Sequence, residues 1–111
     1  MNKEFYKKII KKNIININDK VLVIAGGEND FQILRELEYK NVTISNLDES
    51  LNSDKFKPYN YSIQNAESLT FNDCAYDYVI VSMGLHHCFS PHKALLEMYR
   101  VSKKGILCIE S

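Results

Sequence analysis

The chain has 111 residues, with 14 Lys plus Arg against 14 Asp plus Glu, so its formal net charge is zero. That length corresponds to one domain on the usual scale of roughly 100–200 residues each. Hydrophobic residues make up 45% and charged residues 25%, which supplies a globular core and argues against wholesale disorder. A protein that grips a polyanion is usually basic, so nucleic acid is disfavoured as a bulk partner. No apolar run approaches the roughly 20 residues of a membrane span. No apolar signal segment follows the charged Lys3 and Glu4, so no membrane is expected as a partner and the expected location is the cytoplasm.

Residues 2–12 read as a short basic amphipathic helix, with Phe5, Tyr6, Ile9 and Ile10 on one side and lysines on the other. Packing on the domain is its expected use; a membrane surface is the sharper alternative. Residues 1–19 form this helix and a lead-in, and residues 20–111 form an α/β core, together one domain. Residues 21–25 are a continuous apolar run stopped by Gly26 and Gly27, which suits a strand buried on both faces. A helix then starts from Asn29 or Asp30, capped by either side chain. It carries Ile33, Leu34 and Leu37 and ends near Tyr39. Residues 42–45 are a second strand, polar residues follow to Pro58, and residues 61–63 form a short third strand. Residues 76–83 read as a strong buried strand. Ser90 and Pro91 open a helix, with Ser at the cap and Pro in first place. Ala94, Leu95, Met98 and Val101 form its inner face. Lys103, Lys104 and Gly105 are expected to end it, and residues 105–110 are the last strand.

Strands alternating with helices imply right-handed crossovers and an α/β fold, a doubly wound, mostly parallel sheet of about five strands. Ligands of such a sheet sit beyond the carboxyl ends of the strands, at the switch point beside the first. Three segments fall there in phase. Ala25, Gly26, Gly27 and Glu28 make a tight turn that lets backbone approach a ligand, ahead of the free N–H groups of a helix N-terminus. Asp48 follows the second strand, where an acid accepts hydrogen bonds from a ribose diol, with Asn46 and Glu49 as competitors. Asn65, Ala66 and Glu67 follow the third strand, where an amide and backbone N–H groups suit an adenine edge.

Met83, Gly84 and Leu85 close the fourth strand and lead into His86, His87 and Cys88, with His92 beyond. A zinc site is disfavoured, because its ligands usually come in pairs from different elements and His86 and His87 are expected to point apart. No metal is therefore expected. The histidines then read either as a general base at the mouth of the site or as residues that shape the loop. Cys74, Cys88 and Cys108 are too few for a disulfide framework and are expected as reduced thiols packed like small apolar groups.

Together these segments resemble the class I S-adenosylmethionine-dependent methyltransferases, in particular the type 11 branch. The resemblance covers residues 20–110. Its most specific parts are Asn65-Ala66-Glu67-Ser68-Leu69-Thr70-Phe71, Asp77-Tyr78-Val79, Leu85-His86-His87, and Ala94-Leu95, Glu97, Arg100-Val101 and Lys103-Lys104-Gly105. They follow the family pattern D-A-x-x-L-P-F, F-D-x-V, L-H-H and A-L-x-E-x-x-R-V-L-K-P-G-G.

The chain departs from the family at the first loop. Val23, Ala25, Gly27 and Asn29 stand in the four places of D-x-G-x-G-x-G, so the acid is lost and one glycine stays in register. In strict register the second-strand acid falls on Asn46, with Asp48 two residues later. The resemblance implies a Rossmann-like methyltransferase fold that uses S-adenosylmethionine and methylates an unidentified acceptor. It implies cofactor contacts from Ala25, Gly26, Gly27, Glu28, Asn46, Asp48, Asn65, Ala66, Glu67, Met83, Gly84 and Leu85, with His86 or His87 facing the acceptor as the catalytic base. Such a fold ordinarily continues for two more strands, so this chain is expected to be C-terminally truncated or a split product, or to meet a partner chain that covers the hydrophobic edge of its last strand. A non-catalytic module that binds cofactor or a protein partner is the alternative. A nicotinamide-dependent oxidoreductase is disfavoured, because the loop reads A-G-G-E-N-D and not G-x-G-x-x-G.

Overall fold

The computed structural model describes residues 2–49 and 53–109. The chain runs α1 (Lys3–Asn13), β1 (Lys20–Ile24), α2 (Glu28–Glu36), β2 (Asn41–Asn46), β3 (Asn60–Ile63), β4 (Tyr76–Ser82), α3 (Pro91–Val101) and β5 (Ser102–Ile109). All pairings are parallel, in the order β3-β2-β1-β4-β5. The doubly wound plan follows. β1 is central, the chain steps outward through β2 to β3, then crosses to β4 and β5 on the other side.

Alternation along β1 explains the two layers. Successive side chains of a strand face opposite sides, so Val21 and Val23 pack with Tyr6, Ile10, Ile33 and Leu34 of α1 and α2. Leu22 and Ile24 pack with Met98 and Val101 of α3. The apolar runs are continuous because both faces are covered.

α1 docks as expected, but with a narrower face. Tyr6 and Ile10 are buried, whereas Phe5 points outward. Asn2 caps the helix, its Oδ1 accepting from the N–H groups of Glu4 at 2.9 Å and Phe5 at 3.2 Å. Replacing Asn2 with Ala is expected to cost about 1 kcal/mol by loss of this cap. Urea unfolding checks it, and an unchanged midpoint would show that the cap contributes nothing.

Two helix boundaries and one connection differ from the sequence reading. α2 begins at Glu28 with Gly27 as its cap, ahead of Asn29 and Asp30, because the Asp30 carboxylate reaches back from the third helical position to accept the Gly27 N–H at 2.9 Å. α3 ends at Val101, and Lys103 and Lys104 belong to β5. There strand pairing prevails over a helix-end signal: Ser102 pairs with Tyr76, and Lys104 Nζ reaches both Asp19 carboxylate oxygens at 3.0 Å. The connection read as polar contains a 3-10 turn, Ser53–Phe56. Phe56 is buried there, stacked on Tyr61 at 5.3 Å and edge-on to Phe31 at 5.7 Å.

Glu110, expected in the last strand, lies outside the described residues. No disulfide joins the three cysteines, and Cys74 and Cys108 are exposed where burial was expected, since one sits on a loop and the other on an outward position of β5. No helix among the described residues is long and apolar enough to cross a membrane.

Candidate functional site

The carboxyl ends of β1, β2, β3 and β4 surround a hollow of about 490 Å³, within the roughly 300–1,000 Å³ of small-molecule sites. It lies at the switch point, where β1 separates strands that wind one way from those that wind the other. The turn after β1 is held from three sides. Gly26 N–H donates to the Ser45 carbonyl at 2.8 Å, Asn46 Nδ2 donates to the Gly26 carbonyl at 2.8 Å, and Gly27 N–H donates to Asp30.

A Cβ on Gly26 would stand 2.8 Å from Val23 Cγ1 and 2.9 Å from Ile44 Cγ2. This glycine is required by the packing of β1 on β2. A Cβ on Gly84 would stand 2.8 Å from the Ala25 Cβ, so the tips of β1 and β4 touch there. Ala25 and Met83, on those two tips, both have positive φ, 52° and 59°. Left-handed backbone at non-glycine residues stores strain and gathers at functional sites.

Of the residues singled out by sequence, Ala25, Asn46, Asn65, Ala66, Glu67, Met83, Gly84 and His87 line the hollow. Gly26, Gly27, Glu28, Asp48, Leu85 and His86 do not. Gly26 and Gly27 shape the turn from behind. Glu28 turns to Lys55, 3.5 Å away. Asp48 is exposed, and the reason is local: its backbone N–H donates to Asn46 Oδ1 at 3.1 Å and its carbonyl accepts from the Tyr61 hydroxyl at 2.9 Å. These bonds draw the loop over β3 and leave Asn46 as the polar group at the tip of β2.

The structure adds Ile24, Ser45, Leu47, Gln64, Cys88 and Phe89 to the wall. Leu47 and Phe89 are large exposed apolar side chains at its rim. The signal for Leu47 was an apolar residue just past a strand end, and for Phe89 an apolar residue beside the helix-opening Ser90.

The loop after β3 is fastened to the segment that leads into α3. Asn65 Oδ1 accepts the Glu67 N–H at 3.0 Å, and the Glu67 carboxylate accepts the N–H groups of Phe89 at 3.1 Å and Ser90 at 3.2 Å. Further along, Glu97 accepts the Leu69 N–H at 2.8 Å, and Arg100 donates to the Leu69 and Phe71 carbonyls and to Asp73. The E-x-x-R spacing puts both side chains on one helix face, where they staple a wall of the hollow. Arg100, bonded to Glu97, holds that carboxyl below its ordinary range.

The histidines lie in a 3-10 turn, Leu85–His87. Their rings do not point apart: the centroids are 4.0 Å apart, because neighbours in a tight helical turn diverge less than neighbours on a strand. Among the described residues no three His, Cys, Asp or Glu side chains gather closely enough to hold a metal ion. A second hollow, about 420 Å³ and lined in part by Lys20, Lys40 and Asn41, lies at the opposite end of the sheet.

The model of a family described as methyltransferase domain matches residues 25–109, a span that begins after α1. This chain belongs to that methyltransferase family. A ubiquinone/menaquinone biosynthesis C-methyltransferase of Rickettsia bellii is 27% identical over 89% of this chain and 47% of its own length. The protein of the same name from Haemophilus ducreyi is 36% identical over 78% of this chain and 38% of its own. The chain thus spans about half the length, or less, of these curated relatives. The crystal structure of the PH0226 protein from Pyrococcus horikoshii superposes with a TM-score of 0.81 over 97% of this chain and 56% of that one, at 22% identity, a likeness of fold. Methyltransferases of this family generally use S-adenosylmethionine, and the Rossmann-like sheet with flanking helices is the one their fold requires.

Proposed function

We propose that this chain binds S-adenosylmethionine in the hollow at the switch point and serves transfer of its methyl group to an acceptor that arrives beside His87. The observation that carries this reading is the convergence of four strand tips on one open pocket, in a chain of the methyltransferase family.

The residues present suit the cofactor from end to end, though unequally. Leu47, Ala66 and Phe89 offer apolar surface to a flat base. Asn46 uses one N–H on Gly26 and one lone pair on Asp48, which leaves one donor and one acceptor for a hydroxyl pair. A carboxylate would offer two acceptors, so the ribose is held less firmly than in a site with an acid there. At the methionine end, Ala25 and Gly84 of the touching β1 and β4 tips border the hollow.

When bound, S-adenosylmethionine supplies a methyl group on a positively charged sulfur, a leaving group already activated. The protein is then left to orient the acceptor and remove a proton. Met83 and Gly84 floor the pocket. His87, on its wall, accepts the proton, while Leu47 and Phe89 limit water. The exposed apolar rim favours an apolar acceptor, and the C-methyltransferase activity named for the relatives favours methylation at carbon.

Asn46 in place of an acid, and Val23 where the family carries another, favour a second reading: a module that binds the cofactor without turnover. Calorimetric titration with S-adenosylmethionine and S-adenosylhomocysteine tests the binding step. Leu47→Ala is expected to weaken binding roughly tenfold through lost apolar contact. Absence of binding by the unaltered chain would overturn both readings. Release of S-adenosylhomocysteine on addition of an apolar hydroquinone supports transfer, and binding without release supports the module.

A further inference from the structure

α1 contributes no residue to the hollow, yet it is joined to the turn that borders it. The Tyr6 hydroxyl donates to Asp30 Oδ1 at 2.6 Å, and Asp30 Oδ2 accepts the Gly27 N–H at 2.9 Å. Tyr6 is fully buried and Asp30 is 8% exposed. Burial pushes the Asp30 carboxyl up from its ordinary value, against the hydrogen bonds from Tyr6 and Gly27 that lower it.

A buried carboxylate is costly unless it is fully bonded. An apolar pair at positions 6 and 30 would fill the α1–α2 contact without that cost. Filling space therefore does not account for this pair. What it does is bond the peptide N–H of Gly27, while Asn46 and Ser45 hold Gly26. Asp30 also sits in the first turn of α2, where the helix dipole favours a negative charge.

We infer that Tyr6 is a positioning residue for the cofactor turn: through Asp30 it sets the direction of the Gly27 peptide, so docking of α1 adjusts the pocket without touching its occupant. The link from turn geometry to affinity rests on the cofactor reading above. The latch itself does not, and the two are separable by experiment.

Tyr6→Phe removes one hydroxyl and keeps the ring. In the ligand-free protein, amide hydrogen exchange at Gly27 is expected to speed up roughly tenfold, the equivalent of one lost hydrogen bond. Amides of β4 should change only by the global loss of stability. Ile10→Val, which trims the same helix face without touching the latch, serves as the control and should leave Gly27 in step with the rest. Asp30→Asn keeps the shape and can still accept one bond, so its Gly27 exchange should fall between the unaltered protein and Asp30→Ala. In calorimetry, Tyr6→Phe should weaken S-adenosylhomocysteine binding about three- to tenfold at a temperature where it is fully folded, and Ile10→Val should not. Equal effects of Tyr6→Phe and Ile10→Val on Gly27 exchange would overturn the latch. Tyr6→Phe binding as tightly as the unaltered protein would overturn its role in positioning the cofactor turn. If the unaltered protein binds no S-adenosylhomocysteine, the cofactor reading fails and Gly27 exchange alone decides the inference.

Discussion

Gly26→Ala is expected to destabilise the protein by about 1–3 kcal/mol, the usual cost of forcing a methyl into a packed core, and to weaken cofactor binding about a hundredfold, because a displacement near 1 Å at a binding turn has consequences of that size. The added Cβ would meet Val23 Cγ1 at 2.8 Å and Ile44 Cγ2 at 2.9 Å. Both side chains are fully buried, so neither has a free rotamer to move into. Relief must come from the turn itself, which would strain the bonds from Gly26 to Ser45 and Asn46. In a domain of this size each kcal/mol corresponds to roughly 4–8 °C in Tm.

The neighbouring glycine supplies the control. Gly27 has extended φ, −154°, which any residue adopts, and open space around a new Cβ. Gly27→Ala should therefore change stability by no more than about 0.5 kcal/mol. Scanning calorimetry of the two variants decides the matter: equal Tm values for both would refute the packing argument. Only Gly27 is in register with the family pattern, so sequence alone would have assigned it the larger effect.

Glu97→Ala is expected to cost about 2–3 kcal/mol, since it removes a charged acceptor from the Leu69 N–H and from Arg100. Leu69 is buried against α3 and β4, so its N–H would lose its bond where water has little access. The staple holds the loop that presents Asn65, Ala66 and Glu67, and ligand affinity should fall together with stability. The pH dependence is specific. Arg100 lowers the folded-state pKa of Glu97 below its ordinary value of 4.5. Below that value the unfolded chain takes up the proton first, so the contribution of Glu97 is complete above about pH 4.5 and is lost as pH falls through the lowered folded value.

Asp30 acts in the opposite sense. Its folded value is raised above 3.8, chiefly by burial. Its effect on stability is most favourable below 3.8 and declines as pH rises through the raised value. The difference between the unaltered protein and Glu97→Ala cancels Asp30 and isolates the staple. Urea unfolding at pH 7 and pH 3 should show that difference shrinking in acid. A constant difference would mean that the charge of Glu97 contributes nothing to the staple.

The positions of the strands were readable because their cause is local. Residues 21–24 and 79–81 are apolar without interruption, as strands covered on both faces must be, and Ser90 with Pro91 marks a helix start by its own chemistry. The meeting of the β1, β2, β3 and β4 tips around one hollow was readable because the phase of strand and loop brings them to one end of a parallel sheet.

What tertiary contact decided lay where two local signals competed. Lys103, Lys104 and Gly105 look like a helix end, yet pairing of Ser102 with Tyr76 took them into β5. Asn46 ends the second strand and Asp48 follows it, and that Asn46 lines the hollow goes with its reach to the Gly26 carbonyl. His86 and His87 were expected to diverge and instead share a tight turn.

The order of elements, the sheet and the end of it that carries the pocket were therefore determined by this chain's own pattern of apolar runs and turn residues, since periodicity acts over a few neighbouring positions. Which polar groups line that pocket, and the bond from Tyr6 through Asp30 to Gly27, were decided only by folding, because a hydrogen bond between residues 24 positions apart depends on how two helices dock and leaves no periodic trace in the sequence.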